Sequence, residues 1–213
     1  MNFKNYKTKW LISFIAVLAI VCNILYIYFD KFITGYPKFK EISNYIGFTS
    51  ILGLMILVLN FIDKYWWKYF FTNIIISIPD INGRFEGTMT SSYIDPVTNQ
   101  KIILDCVMEI TQTASNIHVH TYIGRKGNQT SSSETICEVL KKKPNNFYTL
   151  FYNYGNISNL NVEFNDHKGT AYLDYFPDVR SFKGNYFNER LNKGVIEVKF
   201  KSNKLIGRFN EIL

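Results

Sequence analysis

Cysteine is scarce in this 213-residue sequence: Cys22, Cys106 and Cys137 are far apart, odd in number and without C-x-x-C spacing. A disulfide scaffold is therefore excluded, and free thiols in a reducing compartment are expected. Histidine is equally thin, with only His118, His120 and His167. His118-Val-His120 puts two imidazoles on one face of a strand, yet Tyr122 continues that face while Ile117, Val119 and Ile123 take the other. The pair is thus expected to face solvent with no third ligand, and no metal site is expected. G-x-S-x-G, Walker and G-x-G-x-x-G sequences are all missing, and neither Cys106 nor Cys137 has a histidine beside it in sequence. Both read as core cysteines rather than nucleophiles, so neither an enzyme nor a cofactor is expected. The 12 glycines have no period, which removes a collagen-like chain.

Charge is present mainly with one sign, a formal net of +7. Its distribution matters more than its size. Residues 1–71 hold eight lysines against three acids, a net of +5, and leave only +2 to the remainder. A basic patch for binding DNA or RNA is not what this pattern describes, because most of the excess flanks apolar segments. The run Lys141-Lys142-Lys143 before Pro144 reads as a solvated hairpin turn.

Those segments are long. Residues 11–29 carry no charge, with Ser13 and Asn23 the strongly polar members, and as a helix they reach about 28 Å, one hydrocarbon core. Residues 45–62 are again uncharged and reach about 27 Å. Trp10, Tyr26 and Tyr28 frame the first span, and Tyr65, Trp66, Trp67 and Tyr69 follow the second, as rings at a headgroup boundary do. A cleaved signal peptide fits the first segment poorly, since its apolar core is long and no small-x-small site follows. About fifteen residues, 30–44, join the spans, so a transmembrane hairpin is expected. Five lysines outside the hairpin against three in its loop place both termini in the cytoplasm. The sequons at Asn128 and Asn156 are then chance matches. Gly47, Ser50 and Gly53 form a loose small-residue pattern that hints at self-association. Neither span contains an acid or base, which argues against a proton relay.

After Pro79 the period changes to two, with turn residues about every ten positions. Eight strands are predicted, over 84–94, 101–112, 117–123, 131–141, 147–154, 168–176, 181–188 and 195–201. Short connections such as Asp95-Pro96, Lys126-Gly127-Asn128 and Pro144-Asn145-Asn146 make neighbours antiparallel. The predicted fold class is a membrane protein: an N-terminal two-helix transmembrane hairpin (1–71), then an all-β, eight-stranded antiparallel up-and-down β-barrel (72–213). Such a barrel is either filled by side chains or holds one small ligand. Ile102, Leu104, Cys106, Met108 and Ile110 give an apolar inner face, with Asp105 and Glu109 outside. His167, Gly169, Ala171 and Leu173, then Phe182, Gly184, Tyr186 and Asn188, give an inner face with space and polar groups at its border. That suits a ligand site, although the small residues equally suit accommodation of neighbouring rings or strand coiling.

The order of two spans and a barrel, with Gly83-Arg84-Phe85-Glu86-Gly87, Ser91-Ser92, Tyr152-Asn153-Tyr154-Gly155-Asn156, His167-Lys168-Gly169-Thr170-Ala171 and Gly184-Asn185-Tyr186-Phe187-Asn188-Glu189-Arg190, resembles a known family. It is the two-transmembrane, β-strand-rich effector family that accompanies bacterial cyclic-oligonucleotide (CBASS) anti-phage operons. Phe85 departs from the family's G-x-W-x-G opening and keeps an aromatic there. The resemblance implies a barrel that receives a cyclic dinucleotide made by a partner nucleotidyltransferase. It further implies homo-oligomerisation on ligand binding, disruption of the inner membrane and abortive infection, from a multi-pass protein with its barrel in the cytoplasm.

A cyclic dinucleotide offers two bases, two ribose edges and two anionic phosphates. Tyr152 and Tyr186 suit stacking, Asn153, Asn188 and His167 suit hydrogen bonding, and Arg190 and Arg84 suit phosphate. An alternative is a membrane-tethered, lipocalin-like barrel for a lipid or other apolar metabolite, supported by the apolar inner face. A third is a structural envelope subunit with no small ligand.

Overall fold

The computed structural model describes residues 2–35, 51–69, 74–76, 78–144, 147–158 and 166–210. The chain divides into two compact units, one of residues 1–78 with the turn 113–115, the other of residues 79–112 with 116–213. The expected boundary after Phe71 falls beside residues outside the described set.

In the first unit, α1 (Thr8–Thr34) is unbroken, as a run of Leu, Ile, Val and Ala without proline or glycine allows. It is the one helix among the described residues long and apolar enough to cross a membrane. Its large apolar side chains are mostly uncovered, with Ile12, Val17, Ile20 and Leu25 exposed, which a soluble core helix would not leave in water. The second helix, α2 (Ile51–Phe61), is 11 residues and continues as a π-helical turn, Ile62–Trp66. This described part is too short to cross a bilayer alone. Positions 45–50 of the expected second span, with Gly47 and Ser50, lie outside the described residues, as does most of the connecting loop.

A small core closes this unit, built from Tyr6, Leu11, Ile62, Trp67, Ile76 and Ala114. Trp67 belongs to it at 2% exposure, whereas Trp10, Tyr65, Trp66 and Tyr69 are exposed as expected of interfacial rings. Trp67 directly follows the π turn and packs in the core with Tyr6 and Ile76. Asp63 is buried in the same unit. Its Oδ1 accepts from the Tyr6 hydroxyl at 3.0 Å and from the Ser115 hydroxyl, and its backbone carbonyl accepts from the Ala114 amide at 3.0 Å. A buried carboxylate at this position is tolerable because its oxygen has two hydroxyl donors.

The second unit is a closed, antiparallel, up-and-down barrel in sequence order. Its strands are β1 (Gly83–Ile94), β2 (Lys101–Gln112), β3 (Ile117–Arg125), β4 (Asn128–Lys142), β5 (Tyr148–Ser158), β6 (His167–Phe176), β7 (Ser181–Asn188) and β8 (Lys193–Ser202). The expected alternation sets the inward faces, with Cys106, Met108 and Ile110 buried on β2 and Ile196 and Val198 on β8. Phe85, Met108, Ile110, Leu150, Leu173, Phe182 and Val198 fill one half of the interior. The Phe85 ring meets Phe182 and Phe200 edge-on, at 5.0 and 5.6 Å between centroids, so the aromatic at the departure position does plug the barrel. Glycine permits close strand approach: a Cβ on Gly184 would strike the Tyr172 carbonyl and Leu173 Cα. Asn145 and Asn146 of one expected turn lie outside the described residues.

One expected face is reversed. Cys137 is exposed rather than in the core, because a bulge at Ile136 shifts the register between Thr135 and Cys137 and turns the following side chain outward. The β3–β4 ladder ends there, and side chains replace it: Thr135 Oγ1 accepts from the Val119 amide at 2.9 Å and donates to the Val119 carbonyl at 3.0 Å.

Candidate functional site

The other half of the barrel is open. A cavity of about 640 Å³ lies there, within the size range of sites for small organic ligands. It exists because the inward residues change along several strands: bulky aliphatic and aromatic side chains fill the half near Phe85, while serine, threonine, glycine and asparagine recur toward the other end of β3 to β7. Tyr152, Tyr154 and Tyr186 project into it and are nearly buried. Gly169 makes room for one of them, since a Cβ there would collide with the Tyr154 ring. Accommodation of a ring and formation of a site are thus the same feature. The rings of Tyr152 and Tyr154 lie 6.1 Å apart at 50°, tilted rather than stacked on each other. Burial raises the pKa of all three tyrosines, helped at Tyr154 by neighbouring Tyr186. All three are therefore neutral hydroxyl donors at physiological pH.

At the mouth stand two cations. Arg190 lies in the β7–β8 turn, which Asn188 organises: its Oδ1 accepts from the Arg190 and Asn192 amides, each at 3.1 Å. Arg125 ends β3 and also lines the cavity. It contributes to lowering the pKa of Asp95 in the β1–β2 turn, after the amide bonds from Val97 and Thr98. Among the described residues no carboxylate side chain lines the cavity. The arrangement offers ring faces, hydroxyl and amide hydrogen bonds and two guanidinium groups, which suits a planar, anionic ligand.

Five of the seven residues singled out from sequence line this cavity: Tyr152, His167, Tyr186, Asn188 and Arg190. Asn153 and Arg84 do not. Strand alternation turns Asn153 outward, where its Oδ1 accepts from the Thr170 hydroxyl at 2.8 Å. Arg84 is also on the outer face, 2% exposed, and all three nitrogens of its guanidinium donate hydrogen bonds. It pairs with Glu86 at 2.7 Å and Glu109 at 2.9 Å, and donates to the Arg208 and Phe209 carbonyls at 2.9 and 2.5 Å. Burial alone would lower its pKa, but bonds to Glu86 and Glu109 outweigh that and raise it. Glu109 in turn accepts from the Ile206 and Gly207 amides at 2.8 and 3.0 Å. Arg84 and Glu109 together fasten the C-terminal segment across the outer face, where Phe209 covers Val107 and Tyr122.

Sequence reasoning missed Arg125, Thr121, Ser131, Ser133 and Asn156 in the cavity wall. The signal for the serines was there: once β4 pairs with β3, Ser131 and Ser133 must share the inward face with Ile123 and Thr121. The histidines of β3 face outward. His118 is exposed, and His120 stacks on Tyr122 at 4.3 Å with Nδ1 3.5 Å from Glu134. Among the described residues no group of three or more His, Cys, Asp or Glu side chains is placed to hold a metal.

Residues 76–200, more than half of the chain, match the family described as Cap15, cyclic dinucleotide receptor domain. No curated protein and no solved structure matches the chain.

Proposed function

The chain belongs to the family of the Cap15 cyclic dinucleotide receptor domain, and from that premise we propose that its barrel binds a cyclic dinucleotide in the 640 Å³ cavity. Membership of the family, over a span that forms almost the whole barrel, is the observation that carries this reading. The site chemistry supports it. The bases stack against Tyr152, Tyr154 and Tyr186, His167 and Asn188 border them, and Arg125 and Arg190 meet the two phosphates through charge-assisted bonds. Arg84 and Asn153 have no part in it. The aliphatic residues of the wall would also suit a lipid, but the hydroxyl, amide and guanidinium groups of the lining suit an anionic, hydrogen-bonding ligand better.

The same reading makes the chain the effector of a CBASS anti-phage system. A partner nucleotidyltransferase supplies the ligand during infection. The segment 45–62 completes a second span, and the chain sits in the bacterial inner membrane as a multi-pass protein with N-terminus and barrel in the cytoplasm. Ligand binding drives homo-oligomerisation, the assembled helices disrupt the bilayer, and the infected cell dies. A ligand biases assembly only if it binds the assembled state more tightly, so oligomer mass must depend on ligand concentration.

The experiment is a titration of the full-length protein in detergent, with affinity from calorimetry and mass from light scattering. Arg125→Ala and Arg190→Ala are each expected to weaken binding about tenfold or more while the barrel stays folded. Unchanged dissociation constants in both variants would remove the phosphates from the cavity mouth, and a mass independent of ligand would remove the assembly step.

A further inference from the structure

The cavity's two sides differ in chemistry. On one, Ile196, Met89 and Leu104 stand directly opposite one another across β8, β1 and β2. With Ile102 they form an apolar wall, bordered further along β1 by Ser91 and Tyr93. On the opposite side, Thr121, Ser133, Asn156 and His167 occupy one register row across β3, β4, β5 and β6. All four line the cavity. Directly opposed side chains are about 5 Å apart at Cβ, so the row presents a continuous strip of hydroxyl, amide and imidazole groups.

One member of that strip has an unmet bond. Thr121 is 3% exposed, and its hydroxyl has no hydrogen-bond partner among the described residues. The Tyr152 hydroxyl interacts with it weakly, enough to oppose the upward push of burial on that phenol's pKa, but the two do not meet at full hydrogen-bonding geometry. Buried hydroxyls are almost always satisfied. A hydroxyl left open on the wall of a cavity, inside a row of polar side chains, is placed to be satisfied by whatever fills the cavity.

We infer that the receptor reads only one of the two bases of its ligand. The edge of that base is recognised by the Thr121–Ser133–Asn156–His167 row, while the second base packs on the Ile196–Met89–Leu104 wall, which supplies contact without discrimination. This inference rests on the cyclic dinucleotide reading of the cavity and adds where its selectivity lies. A wall without donors or acceptors rejects an altered base edge weakly, whereas a buried polar row left unpaired by the wrong edge rejects it strongly.

The test measures dissociation constants of the full-length protein in detergent for the four same-base cyclic dinucleotides and their mixed-base counterparts. Mixed rings carrying the preferred base once should bind within about threefold of the ring carrying it twice, since losing one of two equivalent orientations accounts for about twofold, and same-base rings lacking it should bind about tenfold more weakly or worse. Thr121→Val combined with Ser133→Ala should bring the preferred and disfavoured same-base rings to within about threefold of each other while binding persists, and Thr121→Ser should keep the preference. Two results would overturn the inference: equal losses for each base replaced, so that mixed rings fall midway on a logarithmic scale, or a uniform loss for every ligand in the Thr121→Val variants. Absence of binding by every ring would instead overturn the cyclic dinucleotide reading, and this inference with it.

Discussion

Arg84→Met removes a cation from a nearly closed set of acceptors. The buried guanidinium holds Glu86, Glu109 and the carbonyls of Arg208 and Phe209, and Glu109 itself is 5% exposed. Breaking a buried pair from one side costs about 3–5 kcal/mol, because the remaining charge is left without its partner. Glu109 keeps the Ile206 and Gly207 amides, which puts the expected loss at the lower end, about 3 kcal/mol. For a unit of this size that lowers the melting temperature by about 10 °C. The assay is thermal unfolding of the full-length protein in detergent, followed by the β-sheet band in circular dichroism, with ligand affinity measured well below the transition. Arg84→Met should melt early and bind ligand as the parent does. Adding Glu109→Leu should lower the melting temperature further, since the Ile206 and Gly207 amides then lose their acceptor as well. A melting temperature within about 2 °C of the parent would refute the fastening role. An unperturbed melt with weakened binding would return Arg84 to the ligand site.

Two further outcomes follow from the barrel interior. Burial pushes the Cys106 thiol from 9.0 up to about 12, so only the unfolded chain ionises it in that window; its contribution to stability is present below about pH 9 and lost as pH rises toward 12. At neutral pH exposed Cys137 should react with a thiol reagent and Cys106 should not until the barrel unfolds, and equal labelling rates in the folded protein would contradict the burial. Gly169→Val places a side chain where the Tyr154 ring lies, so it should displace that ring, lower the melting temperature and weaken ligand binding. Retention of parental affinity would show that Tyr154 is not part of the ligand's surroundings.

The barrel was legible because its alternation is strict. Positions 101–112 and 181–188 are the observed limits of β2 and β7, and the inner faces of β6 and β7 fall where the pattern places them. What hid from sequence was anything set by pairing rather than by period. In Thr130-Ser131-Ser132-Ser133 four hydroxyl residues in a row erase the alternation, so the inward serines become visible only through register with β3. The Ile136 bulge likewise has no composition of its own, yet it reverses Cys137. Arg84 looked like a ligand residue because its acceptors in Glu109 and the chain end are 25, 124 and 125 positions away. Arg125 abuts Lys126-Gly127 and in sequence reads as part of a turn, although β3 carries it to the cavity mouth. For the first unit, length and hydropathy identify α1, while the burial of Trp67 comes from packing with Tyr6 and Ile76, which are distant in sequence.

The most direct test of the cavity as the receptor site is the thermal shift of the full-length protein in detergent against a panel of cyclic dinucleotides, with their linear hydrolysis products as controls. A ligand at a hundred times its dissociation constant adds about 2.7 kcal/mol to the native state, which should raise the barrel's melting temperature by about 6–10 °C. At least one cyclic dinucleotide should produce that shift, its linear product should not, and Arg190→Ala should diminish it. A flat panel on folded protein would contradict the account.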